Sequence, residues 1–489
     1  MNALYSELFH ALAPEAALVI AALVVIGADL LGGRHQPLAS RLQVATGIGA
    51  AGVLAALLLV LSTGPVGSVF GSSLMLDPLA VAVRLGVLVL VLLTLGVVTA
   101  ATPTRQPAEY VALILFAAVG FLQMAVAQQL LLAFLAVELA SLSLYVLAGY
   151  DKSRPESAEA ALKYFLIGAV SAAFLLFGFS LLYGLTGTIE FGEIAHALAY
   201  QAMSPLLAVA LVMVLVAFGF KAAAAPFHLW APDAYQGAPT ASAALIASAS
   251  KLAGFALFWR LLWSGLGPVA GQFTAHHRYP GWLVIVALLS GASLLLGNFA
   301  ALAQSNVRRL LAYSAIAHAG ALLLGILSAG QSGPGPLFYY AATYGLATVG
   351  AFGVLAVVER HGRCQELSDL AGLHRRSPLL SGCLLVFVLS LAGIPPLAGF
   401  FGKFAVFAAA LQMGGVASPA GWLTLLAIAL SAVALYYYLI ILKQALVAPP
   451  AADAKSIPVP AIAALTLVIA AGLLIVLGVF PSALLRWVV

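Results

Sequence analysis

The stretch 218-FGFKAAAAPFHLWAPDAYQGAP-239 decides the fold. It closes an apolar run long enough to cross a bilayer, yet Lys221 lies inside that run and Pro226 follows shortly after it. Proline lacks the N–H of a regular helix and clashes with the preceding turn. The segment is therefore predicted to be an interrupted membrane helix that holds a lysine at membrane depth. A second stretch, 393-GIPPLAGFFGKF-404, repeats the pattern, with Pro395, Pro396, Gly399 and Gly402 leading up to Lys403. Non-helical backbone at that depth persists only against protein or a water-filled cavity, so the residues around Pro226 and Pro395 are predicted to line hydrated space.

The composition around these stretches excludes a soluble domain. Of 489 residues, 64% are hydrophobic and only 8% charged, with a mean hydropathy of +1.11. The fold class is all-α, a polytopic membrane protein. Apolar runs able to cross about 30 Å predict about fourteen helices, near 13–32, 42–62, 78–100, 109–126, 129–149, 160–185, 204–224, 240–263, 281–302, 309–328, 336–358, 379–411, 422–446 and 458–480. Met1 to Leu12 carries no Lys or Arg, so the first run reads as a retained span rather than a cleaved signal peptide. Cys364 and Cys383 are too few for an iron–sulfur cluster and lack paired zinc spacing. The net charge of +5 comes with no basic stripe interleaved with aromatics, which argues against nucleic acid as a partner.

The basic residues mark topology instead. Loops after odd-numbered helices hold twelve: Arg34, Arg41, Arg105, Lys152, Arg154, Arg308, Arg309, Arg360, Arg363, Arg375, Arg376 and Lys455. Loops after even-numbered helices hold only Arg278, and the C-terminal tail adds Arg486. By the positive-inside rule the odd loops are cytoplasmic, and both termini face the other side.

Against this apolar background stand Glu138, Lys163, Lys221, Lys251 and Lys403. Each charge at a helix centre costs on the order of 3 kcal/mol, so five cost roughly 15. Intramembrane ionisable groups mark ion pathways or proton relays by default. The interrupted helices are the seventh and twelfth, five apart, which predicts two inverted five-helix repeats of the kind that place an ion path at the midplane. The domain reading is residues 1–108 for three N-terminal helices, 109–263 for the first repeat, 281–446 for the second, and 447–489 for a C-terminal helix. In that register His318 on the tenth span occupies the place of Glu138 on the fifth.

Each candidate has a plainer reading. Lys163 lies near a helix start and can snorkel to the interface; His318 can be a core histidine held by a neighbour's hydroxyl; Arg84, in the third span, reads as structural. Other patterns carry no chemistry. The string 47-GIGAAG-52 lies within an apolar span with no preceding strand, so it reads as small-residue helix packing rather than a dinucleotide loop. His276 and His277 are adjacent loop residues without the spacing of metal ligands. Asp233, near His228 and Tyr235, reads as a helix cap or lid residue.

Three stretches then become specific together: 226-PFHLWAPDAYQGAPTASAALIASASKLAGF-255, 308-RRLLAYSAIAHAGALLL-324 and 393-GIPPLAGFFGKF-404. They closely resemble the subunit N family of proton-pumping NADH:quinone oxidoreductase, respiratory complex I. The runs 14-PEAALVIAALVVIGADLL-31 and 157-SAEAALKYFLIGA-169 are similar to it too, so the resemblance covers nearly the whole chain. It implies that Glu138 pairs with Lys221 and that Lys251, His318 and Lys403 continue a polar axis for protons. It also implies no cofactor in this chain, with flavin, iron–sulfur clusters and quinone in partner subunits. The implied partners are neighbouring membrane subunits, another antiporter-like subunit among them, together with membrane lipids, in a bacterial inner membrane. The related subunit M carries a glutamate where Lys403 stands, and subunit L a long C-terminal extension. Ala321 departs from the aromatic that many members carry there. A multisubunit cation/proton antiporter and a helix scaffold whose charges only bind helices together are the competing readings.

Overall fold

Runs of Ala, Leu and Val between proline and glycine breakers wind into helices, and a computed structural model of the chain describes residues 2–101, 105–273, 278–279, 281–362, 364–450 and 455–486. His276, His277 and Arg363 lie outside the described residues. The first three long helices are α1 (Asn2–Leu31), α2 (Leu38–Thr63) and α3 (Pro78–Ala100). A small antiparallel hairpin, Gly67–Val69 with Leu74–Leu76, joins the last two. Then come α4 (Pro107–Val126), α5 (Leu130–Ala148), α6 (Pro155–Thr186), a short connecting α7 (Phe191–Leu198) and α8 (Pro205–Ala222). The chain restarts as α9 (Trp230–Gly237), α10 (Thr240–Ala247) and α11 (Ala249–Trp259). The second half holds α12 (Trp282–Leu302), α13 (Val307–Ser332), α14 (Gly335–Arg360), the one-turn α15 (Leu373–Arg376), α16 (Pro378–Ala392), α17 (Ala398–Gln412), α18 (Pro419–Leu446) and α19 (Ala461–Val479).

Among the described residues, thirteen helical spans are long and apolar enough to cross a membrane, and the shorter apolar half-helices α16 and α17 together make a fourteenth. The span formed by α10 and α11, with α13 and α14, sits at the centre, almost wholly buried, while α1, α2, α6 and α19 lie at the periphery with apolar faces outward. Outward apolar faces are what lipid requires.

Both predicted interruptions are present. After α8, Ala223 takes a left-handed conformation (φ 56°) and Ala225–Pro226 is cis. After α16, Gly393 is left-handed (φ 84°) and Pro395–Pro396 is cis. Backbone groups freed by the breaks find side-chain partners: the Ala225 N–H donates to Ser293 Oγ and the Gly399 N–H to Ser390 Oγ. Gly399 is obligatory, because a Cβ there would stand 1.9 Å from the Ser390 carbonyl oxygen. Pro226, Pro395 and Pro396 lie on the exposed surface of the chain, and it is the backbone beside them that turns inward. The Phe220 carbonyl accepts from Trp230 Nε1 and the Ala392 carbonyl from Lys403 Nζ.

A third interruption carries no breaker in the sequence. The helix changes course at Ser248 (φ −118°, ψ −85°), between α10 and α11, and its last turn loosens into a π-helix over Arg260–Gly265. The Ser248 hydroxyl donates back to the Ala244 carbonyl, which draws the serine side chain onto the backbone it interrupts. Lys251 sits one turn beyond.

Close helix contact and buried charge pairs hold the N-terminal helices together. Gly49 packs on Val111 and Gly52 on Ala21, so the glycine-rich string is a packing seam. Arg84 is fully buried, paired at 2.5 Å with Glu15 and bonded to the Ala11 carbonyl. Arg260 reaches back to Asp77 at the start of α3 and to the Ala125 carbonyl. Removing one partner of such a pair costs about 3–5 kcal/mol because it strands a charge.

Candidate functional site

Lys221 closes the last turn of α8, buried, with its ammonium 3.2 Å from Ser141 Oγ on α5. Glu138, one turn before Ser141, is half-buried. Carboxylate and ammonium face the same cavity, about 10 Å³ open to a water-sized sphere, with Tyr145, Gly168 and Ser171 in its wall. That is close to the space of one water molecule. The two charges are not in ion-pair contact, unlike the expectation from the resemblance, and the lysine donates instead to the serine hydroxyl.

Beyond Lys221 the line toward Lys251 is dry. Phe218, Phe255 and Phe258 wall the gap, which leaves no room for a water-sized sphere. Phe218 and Phe258 stack with centroids 4.8 Å apart. Gly254 permits this closeness, since a Cβ there would press on Lys221 Cγ at 3.2 Å.

Lys251, fully buried on α11, donates to the Ala315 carbonyl of α13 at 2.6 Å and stands 5.5 Å above the ring of Tyr344. An ammonium over an aromatic face is held by the ring quadrupole. One turn along α13 comes His318, whose ring lies 4.8 Å from that of Tyr344. Both imidazole nitrogens are engaged: Nδ1 with Tyr340 Oη at 2.5 Å and Nε2 with Tyr438 Oη at 3.0 Å. Tyr438 is in turn bonded to the Ser314 hydroxyl. A cavity of about 20 Å³, room for a water, is lined by His318, Tyr340, Lys403, Tyr437, Asn298 and Ser431. Lys403, half-buried on α17, donates to the Ala392 carbonyl at 3.0 Å across the helix break.

Lys163 stands off this line. Its side chain is 43% exposed, paired with Glu159 at 2.6 Å and with Asp233 of α9 at 2.7 Å. Arg309 holds the other oxygen of Asp233 at 2.6 Å and also reaches Gln236. Burial pushes the Asp233 carboxyl up, but hydrogen bonds from Lys163 and Arg309 outweigh it and hold the group below the usual aspartate value. The neighbouring Arg308, a loop charge by sequence, is fully buried. It bonds to Glu359, to Thr240 Oγ1 and to the carbonyls of Gln236 and Ala238. Two consecutive arginines thus clamp the segment from α9 to the start of α10.

Sequence reasoning found the ionisable groups on this line and missed the hydroxyls between them. Ser141, Tyr340, Tyr344 and Tyr438 have the spacing of ordinary residues on apolar helices, and nothing local marks them. No group of three or more possible metal ligands occurs among the described residues.

Fourteen spans, two broken helices each carrying a lysine, and a line of ionisable side chains across the middle define a membrane-embedded, antiporter-like translocating subunit. Residues 127–433 match the NADH:quinone oxidoreductase/Mrp antiporter transmembrane family. The chain is 49% identical to NADH-quinone oxidoreductase subunit N 2 of Acidobacterium capsulatum, over 99% of both. A chain of respiratory complex I from Thermus thermophilus superposes with a TM-score of 0.81 at 36% identity, over 97% of this chain and 98% of that one. A chain of the Mrp complex of a Dietzia species shares the fold, with a TM-score of 0.78 at 20% identity over 98% and 96%. This chain belongs to the NADH:quinone oxidoreductase/Mrp antiporter family of membrane subunits.

Proposed function

We propose that this chain is a proton-translocating membrane-arm subunit of the subunit N kind in NADH:quinone oxidoreductase, and that Glu138, Lys221, Lys251, His318 and Lys403 carry the protons. It works beside neighbouring membrane subunits in a bacterial membrane. What supports the reading is that Glu138 and Lys221 border one water-sized space, Lys221 and Lys251 a gap closed by phenylalanines, and His318 and Lys403 a second water-sized space. A cavity that wets and dries is a gate. Lys163 is read as an anchor of α9 rather than a member of the line.

Opposite unit charges about 4 Å apart interact by about 4 kcal/mol at an effective dielectric near 20, equivalent to about three units of pKa. If Lys221 swings from Ser141 to Glu138, it gains that interaction and keeps its proton. If it swings back, it loses the interaction and can release the proton through a wetted gap. Moving one charge against 100 mV costs about 2.3 kcal/mol, so one such pairing covers the step. Electron transfer from NADH to quinone takes place in other subunits. The flavin and iron–sulfur centres belong there, and this chain carries no cofactor of its own. Residues 109–263 and 281–446 act as the two inverted repeats, flanked by 1–108 and 447–489. The basic loops face the cytoplasm, and both termini the opposite side.

The test is NADH-driven quinone reduction and proton uptake in vesicles holding the Lys221→Ala complex, with assembly followed by native gel. Both activities are expected to fall together in an assembled complex. Full pumping would overturn the proposed path. Purification without flavin- and iron–sulfur-bearing partners would favour a cation/proton antiporter instead.

A further inference from the structure

His318 is the one group on the line with a hydroxyl on each ring nitrogen, and those hydroxyls come from opposite halves of the membrane. Helix α13 begins at the basic-loop face and runs across to Ser332. Tyr340 is the sixth residue of α14, which starts at the opposite face. Tyr438 lies nine residues from the end of α18, counting inclusively, and that end returns to the basic-loop face. Ser314, bonded to Tyr438, is the eighth residue of α13 and also lies in the basic-loop half. Lys403 shares its cavity with Tyr340, His318 and Tyr437 and lies in the opposite-face half of its span.

We propose that His318 is a two-sided proton switch, loaded at Nε2 through Ser314 and Tyr438 from the basic-loop half and unloaded at Nδ1 through Tyr340 into the Lys403 cavity. A neutral imidazole has one N–H and one acceptor nitrogen. The ring starts with its proton on Nδ1, donated to Tyr340. Tyr438 passes its hydroxyl proton to Nε2 and takes one from Ser314, which is refilled from the basic-loop side. The ring is then an imidazolium. Its Nδ1 proton moves to Tyr340 Oη as the proton of that hydroxyl leaves for the cavity. Each hydroxyl gives one proton and receives one, so none is left ionised. The ring ends with its proton on Nε2 and each hydroxyl with its O–H reversed, so the ring must turn and the hydroxyls reset before a second proton can pass. Transfer by this route is therefore stepwise, one proton for each turn of the ring.

This inference rests on the proposed path through His318, and the experiment separates the two. In vesicles of the intact complex, proton uptake is measured for His318→Ala, Tyr438→Phe, Tyr340→Phe and Ser314→Ala, with assembly checked by native gel. Phenylalanine keeps the ring and removes only the hydroxyl. Each tyrosine variant should lose uptake about a hundredfold, the scale of a lost positioned proton carrier, and Ser314→Ala should lose less, because water can stand in for a serine hydroxyl. Tyr339→Phe, whose hydroxyl donates to the Leu477 carbonyl away from the imidazole, should pump normally. Adding Tyr438→Phe to His318→Ala should cause no further loss, because the hydroxyl acts through the imidazole; a purely structural hydroxyl would multiply the two defects. Full pumping by His318→Ala overturns the proposed path itself. An inactive His318→Ala beside active Tyr438→Phe and Tyr340→Phe overturns the switch alone, as do multiplying defects. If Tyr438→Phe does not assemble, normal pumping by Ser314→Ala overturns that arm.

Discussion

The two broken helices are near copies in backbone and unlike in their surroundings. Both end their first half in a left-handed residue, with Lys221 in the turn before its break and Lys403 in the half-helix after its own. Lys221, however, is buried, with a serine as neighbour and a cavity of about 10 Å³. Lys403 is half-buried beside a cavity of about 20 Å³ ringed by hydroxyls, an amide and an imidazole. The same backbone device therefore supplies a tight, specific site in one repeat and a roomier polar site in the other. A tight site depends on the one group that fills it. A roomy polar site can recruit water in place of a missing group.

The largest expected effect follows from that contrast. Lys221→Ala should lower proton uptake and quinone reduction about a hundredfold, the scale of a lost positioned proton carrier. Lys221→Arg should rescue poorly, since a guanidinium does not release its proton at accessible pH. Rates in vesicles of assembled complex decide this, and an arginine variant as fast as wild type would break the idea that the lysine titrates.

Lys403→Ala should be milder than Lys221→Ala, because its cavity has room for water to bridge His318 to the exit. A Lys403→Ala defect deeper than that of Lys221→Ala, measured in the same vesicles, would reverse the comparison. Ser141→Ala should cost less again. A hydrogen bond from an ammonium is worth about 1.5–3 kcal/mol, but the water-sized space beside Lys221 lets water replace the serine, so any step that needs Lys221 held there should slow less than about tenfold. A faster variant would mean that the serine holds Lys221 in a resting state.

The smallest effect belongs to the exposed ion cluster. Asp233→Asn removes a partly exposed pairing with Lys163 and Arg309, and exposed pairs contribute only about 0–1 kcal/mol, so activity should fall less than about fivefold. The Asp233 carboxyl lies below its ordinary value. Its contribution is therefore complete above the unfolded aspartate pKa near ~3.9 and lost only as pH falls through the lower folded value. The anchoring of α9 should not change between about pH 6 and 8. A pH–rate profile in that range that loses an inflection on Asp233→Asn would put Asp233 on the proton route instead of beside it.

Much of the molecule is legible along the chain because membrane insertion is a local, one-dimensional constraint. A run of apolar residues needs no partner to be recognised, and a proline or a charge within it is conspicuous. That is why the fourteen spans, the breaks beside Pro226 and Pro395, and Glu138, Lys221, Lys251, His318 and Lys403 can be read before any contact is known. The break at Ser248 could not be, since neither proline nor glycine marks it, and it shows only once the serine hydroxyl is seen on the Ala244 carbonyl and α10 against α14 and α3.

By itself the sequence determined the class of protein, its spans and the set of ionisable groups that a bilayer makes costly. Only the tertiary structure decided which of them face one another. It moved Lys163 out to a surface cluster with Asp233 and Arg309, buried Arg308 in a clamp on Gln236, Ala238 and Thr240, and held Lys221 on Ser141 rather than on Glu138. It also brought Tyr340 and Tyr438, 98 residues apart in the chain, onto the two nitrogens of one imidazole. Charge in an apolar run is visible residue by residue, whereas a hydrogen bond depends on two positions that only the packing of separate helices brings within about 3 Å.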